Sequence, residues 1–332
     1  MRNRVKAVFL GTLIGDALGM PVESFSNERI KKTYGRISRY LKPKDHKWFS
    51  NEEAGTYTDD TQLTLAVARG MLESNDPLDI NSQVIWHVKA YDESTKGWGN
   101  STRSAVKNLK EGVSFDKSAF TGEGISGLGN GVAMKIAAPA IFLWKNNKDL
   151  IKSKEITRFL ATLSKLTHPT SISISATFAQ AMAINKCLSF KQGEFNYEEF
   201  ATSVINSASL GKLFLKETIK DDLPERLADL FINVDCYDTN IMIDKFNNGS
   251  CYCYNSIPFV YGFFVKNPRS IESLYDIVSA GGDTDSNGAM LGALLGALNG
   301  MEIFPDHLIS DLKNSSEILE VADTFCDKFE ID

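Results

Sequence analysis

The chain has 332 residues, 43% of them apolar and 23% charged, and 36 Lys and Arg against 42 Asp and Glu leave a net charge of −6. This composition excludes a disordered or fibrous chain, and the length allows a large buried core. The acidic balance argues against nucleic-acid binding, which needs a basic face, and five scattered cysteines are too few for a disulfide scaffold, so a reducing cytoplasm is the expected location.

Apolar residues recur mostly at helical intervals, and few stretches alternate like strands. Val5, Val8, Phe9, Leu13 and Leu18 predict a first helix ending near Pro21. Arg2, Arg4 and Lys6 before its apolar run imitate a signal peptide, but Asp16 interrupts the run and no clean cleavage site follows. A second helix opens at Asp60 and is carried by Leu63, Leu65, Val67 and Met71. Further helices are predicted over about 80–91, 101–111, 131–144, 154–166, 171–188, 196–207, 223–232, 253–265, 271–279, 284–299 and 315–329. The apolar stretch Gly288 to Gly300 is shorter than the ~18 residues of a bilayer span, so no membrane association is expected. The fold class is therefore all-α. It is read as one domain over 1–332, a monomer, with the polar stretch 190–250 at its periphery.

Two helices carry glycine at intervals of four: Gly11, Gly15 and Gly19 in the first, and Gly288, Gly292, Gly296 and Gly300 in the later one. Each interior glycine costs ~1 kcal/mol against alanine, so the repetition needs a reason. Such spacing makes one flat face on which another backbone can approach closely. Both helices are expected at the centre of the bundle, packed either on each other or each on a bulkier helix.

Two acidic motifs sit just before helices: Thr58-Asp59-Asp60-Thr61 and Gly281-Gly282-Asp283-Thr284-Asp285-Ser286. A single acid there would serve as a cap. Two acids plus hydroxyls in each motif exceed what capping requires. If the glycine-striped helices are central, four carboxylates share a small volume, and two like charges ~4 Å apart cost about 4 kcal/mol even at an effective dielectric of 20. Cations would neutralise the cluster, and ligands made only of oxygen select a hard ion, Mg²⁺ or Mn²⁺. Glu23 follows the first striped helix and joins the cluster only if Gly19 packs near these motifs.

Gly127-Leu-Gly129-Asn130-Gly131 precedes the expected helical run Val132–Ile136 and reads either as a backbone nest for a phosphate or as a helix-to-helix joint. His168 lies between two helices, as a capping residue or a pocket residue, and Trp98 reads as core or as a stacking platform. There is no nucleophile elbow.

Taken together and in order, Gly11–Glu23, Tyr57–Gln62, Gly129–Met134, Thr167-His168-Pro169 and Gly281–Ser286 resemble the ADP-ribosylglycohydrolase family, which includes the dinitrogenase-reductase-activating glycohydrolases and the ADP-ribosyl-arginine and -serine hydrolases. The resemblance covers about 5–188 and 251–300 and implies a compact orthogonal multi-helix bundle whose cleft holds two Mg²⁺, with Mn²⁺ as the other candidate. By that resemblance Thr58, Asp59 and Asp60 hold one ion, Asp283 and Ser286 the other, and Asp285 bridges them. Gly129, Asn130 and Gly131 would contact the diphosphate or distal ribose, His168 would line the same pocket, and Glu23 would stand at the scissile bond.

The expected reaction is hydrolysis of the bond between ADP-ribose and a modified side chain, ADP-ribosylarginine first, with Glu23 or Asp60 moving the proton. The substrate is thus an ADP-ribosylated protein or ADP-ribose itself, and loops near Tyr91–Trp98 and 114–126 would select the acceptor. A second reading is an immunity protein that occludes a cognate ADP-ribosyltransferase, with hydrolysis secondary. A third is a dimetal phosphohydrolase releasing AMP.

Overall fold

A computed structural model describes residues 1–120, 126–146, 150, 152–216 and 219–332. Its described residues form sixteen α-helices joined by turns and short 3-10 segments, with β-pairing confined to isolated bridges. In chain order the first five are α1 (Arg2–Gly19), α2 (Asn27–Thr33), α3 (Asp59–Glu73), α4 (Ile80–Glu93) and α5 (Asn100–Lys110). Then come α6 (Ala137–Lys145), α7 (Lys154–Lys165), α8 (Ser171–Ser189), α9 (Tyr197–Lys212), α10 (Leu223–Asn233) and α11 (Thr239–Lys245). The chain closes with α12 (Cys253–Lys266), α13 (Glu272–Ser279), α14 (Thr284–Asn299), α15 (Asp306–Ser310) and α16 (Ser315–Lys328).

The axis of the molecule is the antiparallel pair α1 and α14. A Cβ placed on Gly11 would collide with the Gly292 carbonyl, one on Gly15 with that of Gly288, and one on Gly19 with that of Thr284. The two glycine stripes therefore pack on each other, backbone against backbone, as the first of the two expected arrangements requires. Gly300 is the exception. It takes φ +84° and ends α14 instead of extending the stripe. The segment Arg2–Val22 is long and apolar enough to cross a membrane, yet 94% of its apolar 18-residue window is buried inside this protein. A core helix needs the same apolar surface as a membrane span.

The predicted helices largely hold. The stretch 131–144 does not run through: a 3-10 turn at Ala133–Lys135 precedes α6, which starts only at Ala137. Pro139 explains the break, because in a longer helix its ring would collide with the carbonyl of Lys135, whereas in the first turn of α6 its missing N–H costs nothing. The short helices α2, α11 and α15 carried too few apolar positions to register as periodic. The polar stretch 190–250 supplies α9 to α11, and its Phe200, Leu227 and Phe246 are fully buried, Phe200 against the rings of Phe231 and Phe264.

Candidate active site

The antiparallel crossing of α1 and α14 sets the site. It lays the C-terminal turn of α1 beside the first turn of α14, where the Thr284 hydroxyl donates to the Gly19 carbonyl at 2.8 Å. One turn earlier on α1, Asp16 is fully buried and takes hold of the other acidic motif. Its carboxylate accepts from the Thr58 amide (3.0 Å), the Thr61 amide (3.0 Å) and the Thr61 hydroxyl (2.6 Å). Segments more than two hundred residues apart are thereby brought together. Glu23, Asp59, Asp60, Asp283, Asp285 and Ser286 all line one cavity of about 300 Å³, with Thr58 buried just behind them.

Hydrogen bonds orient the acids. Thr58 caps α3 by accepting the Asp60 amide, while its hydroxyl and that of Ser286 each donate to Asp60 Oδ2 at 3.2 Å. Asp60 Oδ1 is buried and has no hydrogen-bond partner among the described residues. Asp283 stands at the N-cap of α14, but its side chain makes no cap bond and instead accepts from Asn130 Nδ2 at 2.6 Å. Asp285 Oδ1 accepts the Ser286 amide at 2.9 Å. Capping thus accounts for Thr58 and not for the paired acids. Oxygens of Glu23, Asp283 and Asp285 lie within 4.8 Å of one another, close enough to hold one cation. An orphaned buried carboxylate oxygen beside such a group, in a set composed of oxygens alone, fits a hard divalent ion.

The electrostatics point the same way. Burial pushes Asp16 up to about 6 against the hydrogen bonds from Thr58 and Thr61, while burial and then the neighbouring carboxylates push Asp59 and Asp283 to about 7 and Asp60 and Asp285 well above the ordinary carboxylate range. Lys135 has a fully buried ammonium with no hydrogen-bond partner among the described residues; burial lowers it to about 7 while the charge of Asp59 acts against that fall. A raised carboxyl in the folded state binds protons that the unfolded chain has released, so its stabilising contribution is complete below the unfolded value and lost as pH rises through the folded one. His87 and His168, lowered by burial to about 3, act oppositely, but they are two against five acids, and Lys135 enters only above about 7. The metal-free protein is therefore expected to melt at falling temperature between about pH 4 and pH 7, measured in chelator, and divalent cations should flatten that slope. A chelated sample whose melting temperature rises over this range would contradict the cluster.

The glycine loop differs from a helix N-terminal nest. Gly129 bridges to Tyr252, the Asn130 amide donates to the Cys251 carbonyl (2.9 Å), and the Cys253 amide donates to the Leu128 carbonyl (3.1 Å), so the loop is pinned to the segment before α12. Gly129, Asn130 and Gly131 do line the cavity, although the Asn130 side chain is turned toward Asp283. His168 lines it too, its Nδ1 next to the Thr167 hydroxyl at 2.9 Å and its ring against Gly131, where a Cβ would come within 2.7 Å of Cε1. Trp98 is core: it is 1% exposed and donates from Nε1 to Gln62 Oε1. Gly97 and Gly99–Thr102 form one wall, whereas 121–125 of the expected 114–126 rim lie outside the described residues.

Sequence reasoning missed Asp16, Lys135 and His46, which sits 2.8 Å from Glu23. The signal for the first two was a charge on a segment with no polar face. His46 had no local signal at all.

The ADP-ribosylglycohydrolase family model matches residues 1–331. The ADP-ribosylhydrolase ARH3 of Mus musculus is 23% identical, across 92% of this chain and 86% of that protein. The ADP-ribosyl-[dinitrogen reductase] glycohydrolase of Rhodospirillum rubrum is 24% identical, across 97% and 95%. Among solved structures, one titled ADP-ribosylglycohydrolase-related protein complex shares the fold with a TM-score of 0.71 at 21% identity, covering 99% of this chain and 98% of that one.

Proposed function

We propose, for a chain that belongs to the ADP-ribosylglycohydrolase family and is an enzyme hydrolysing ADP-ribose linkages, that its cleft works with two Mg²⁺ and releases ADP-ribose from modified arginine. The observation that carries this reading is the meeting of Asp59 and Asp60 with Asp283 and Asp285 in one cavity. Thr58, Asp59 and Asp60 would hold one ion, Asp283 and Ser286 the other, and Asp285 both. Their carboxyl and hydroxyl oxygens suit Mg²⁺, with Mn²⁺ second. Bound there, the cations would polarise the ribose hydroxyls and make a water nucleophilic near neutral pH.

The chain's own groups do the rest. Asp60 Oδ2 is occupied by two hydroxyls, and its buried Oδ1 has no hydrogen-bond partner among the described residues, which supports reading Asp60 as a ligand and not as the base. Glu23 is half-exposed at the same cavity and is the carboxylate left to take the proton of the attacking water. The surrounding acids favour the positive charge that develops on the ribose in the transition state. Gly129, Gly131 and His168 form the wall where the diphosphate and distal ribose would lie. No Lys or Arg is among the described residues lining the cavity, so an acceptor that is itself a cation, a guanidinium, meets only acids and neutral groups.

The test is ADP-ribose release from arginine- and serine-linked substrates, with and without chelator. Faster release from arginine, abolished by chelator and restored by Mg²⁺, is expected. Release undiminished by chelator would remove the cations from the reaction, and a preference for serine would overturn the acceptor.

A further inference from the structure

His46 comes from the loop before α3 and is 6% exposed. Its Nδ1 receives two backbone amides, those of Trp48 and Phe49, each at 3.1 Å. A ring nitrogen that accepts hydrogen bonds carries no proton, so the ring proton is on Nε2. That atom lies 2.8 Å from Glu23 Oε2, which fixes the direction of the bond: His46 donates and Glu23 accepts. Phe49 packs edge-on against the imidazole with centroids 5.0 Å apart, so the ring is held in its plane as well as in its tautomer.

Glu23 needs such a holder. An oxygen of its carboxylate lies within 4.8 Å of oxygens of Asp283 and Asp285, and an ionised carboxylate has no proton with which to hold it. Its backbone is tethered from the other side, since the next residue, Ser24, has φ +66° and donates from its amide to the Gly282 carbonyl at 2.7 Å. The tether places the residue, and a single N–H aims its side chain.

We propose that His46 is a positioning residue for the hydrolysis: through Nε2–H it holds one oxygen of Glu23 and leaves the other facing the acids and the substrate. This rests on the role given above to Glu23. His46 itself lies outside the residues lining the cavity, so it acts through Glu23 alone.

Two substitutions separate this role from a structural one. His46→Asn places an amide oxygen where Nδ1 was, keeps the Trp48 and Phe49 amides satisfied, and loses Glu23. His46→Gln keeps a donor near Nε2 and gives up the amide acceptor. For His46→Asn the expectation is a kcat about 10- to 100-fold lower, with KM and melting temperature nearly unchanged, the scale on which supporting partners act. His46→Gln should recover most of kcat while melting lower. In a double-mutant cycle, His46→Asn should cost nothing further on a Glu23→Ala background. If His46→Asn is fully active and His46→Gln loses rate along with stability, the residue only caps its loop and the proposal fails. If Glu23→Ala is itself as active as the parent, the failure belongs to the role of Glu23. An inactive Glu23→Ala beside an active His46→Asn leaves that role standing and overturns His46 alone.

Discussion

Asp285→Asn is expected to abolish most ADP-ribose release, by roughly a hundredfold to a thousandfold, while raising the melting temperature of the metal-free protein at pH 8. Both effects come from the same charge. Asp285 is buried and faces Glu23, Asp60 and Asp283, each of which opposes its ionisation. Asparagine keeps an oxygen for the Ser286 amide, which Asp285 Oδ1 now accepts, and replaces a repelled charge with a donor that the neighbouring carboxylates can use. In chelator the variant should therefore be the more stable protein. With cations the order should reverse, because ions at ~1,000 times their dissociation constant would stabilise the parent by about 4 kcal/mol and the variant would lack the carboxylate proposed to hold both. Melting curves with and without Mg²⁺, run beside the release assay, read all three quantities. An Asn variant that keeps the parent's rate, or that melts below the parent in chelator, would mean that Asp285 serves the fold and not the reaction.

Gly15→Ala is expected to be among the most damaging single methyl groups that can be added to this chain. The new Cβ would lie inside the Gly288 carbonyl, and Gly288 has the same relation to Gly15. Neither contact is with a flexible side-chain end, so relief requires α1 and α14 to separate along the axis of the molecule. Overpacking of a rigid contact costs about 3 kcal/mol or more, which for a protein of this size lowers the melting temperature by on the order of 5 °C. The harm should extend to activity, because the same crossing holds Gly19 against Thr284 and so sets the spacing between Asp16 and the start of α14. Gly99→Ala is the control for stability: a Cβ there meets nothing within 4 Å, and its change should stay within about 1 kcal/mol. Equal melting of Gly15→Ala and the parent would show that the two helices tolerate a wider separation.

Local patterns in the chain specified the helical class, most helix positions, two central glycine-striped helices and the two acidic motifs at the starts of α3 and α14, and left open whether the stripes pack on each other. Each of these is written locally: 3.6-residue periodicity, glycine every fourth residue, and acids with hydroxyls before an apolar run are all consequences of backbone geometry within a few turns. The break before α6 was also local, in Pro139, and went unread. Which groups meet is set by the packing of the helices. Asp16 looked like an interruption of an apolar run, yet it is the anchor of the Thr58–Thr61 turn. Asn130 looked like part of a phosphate loop, yet its side chain turns to Asp283. His46 carried no pattern, yet it donates to Glu23, twenty-three residues away in the chain. The reason is physical. A hydrogen bond between distant segments depends on how their supporting helices cross, and that crossing is settled by the packing of whole faces, which no short stretch of residues contains.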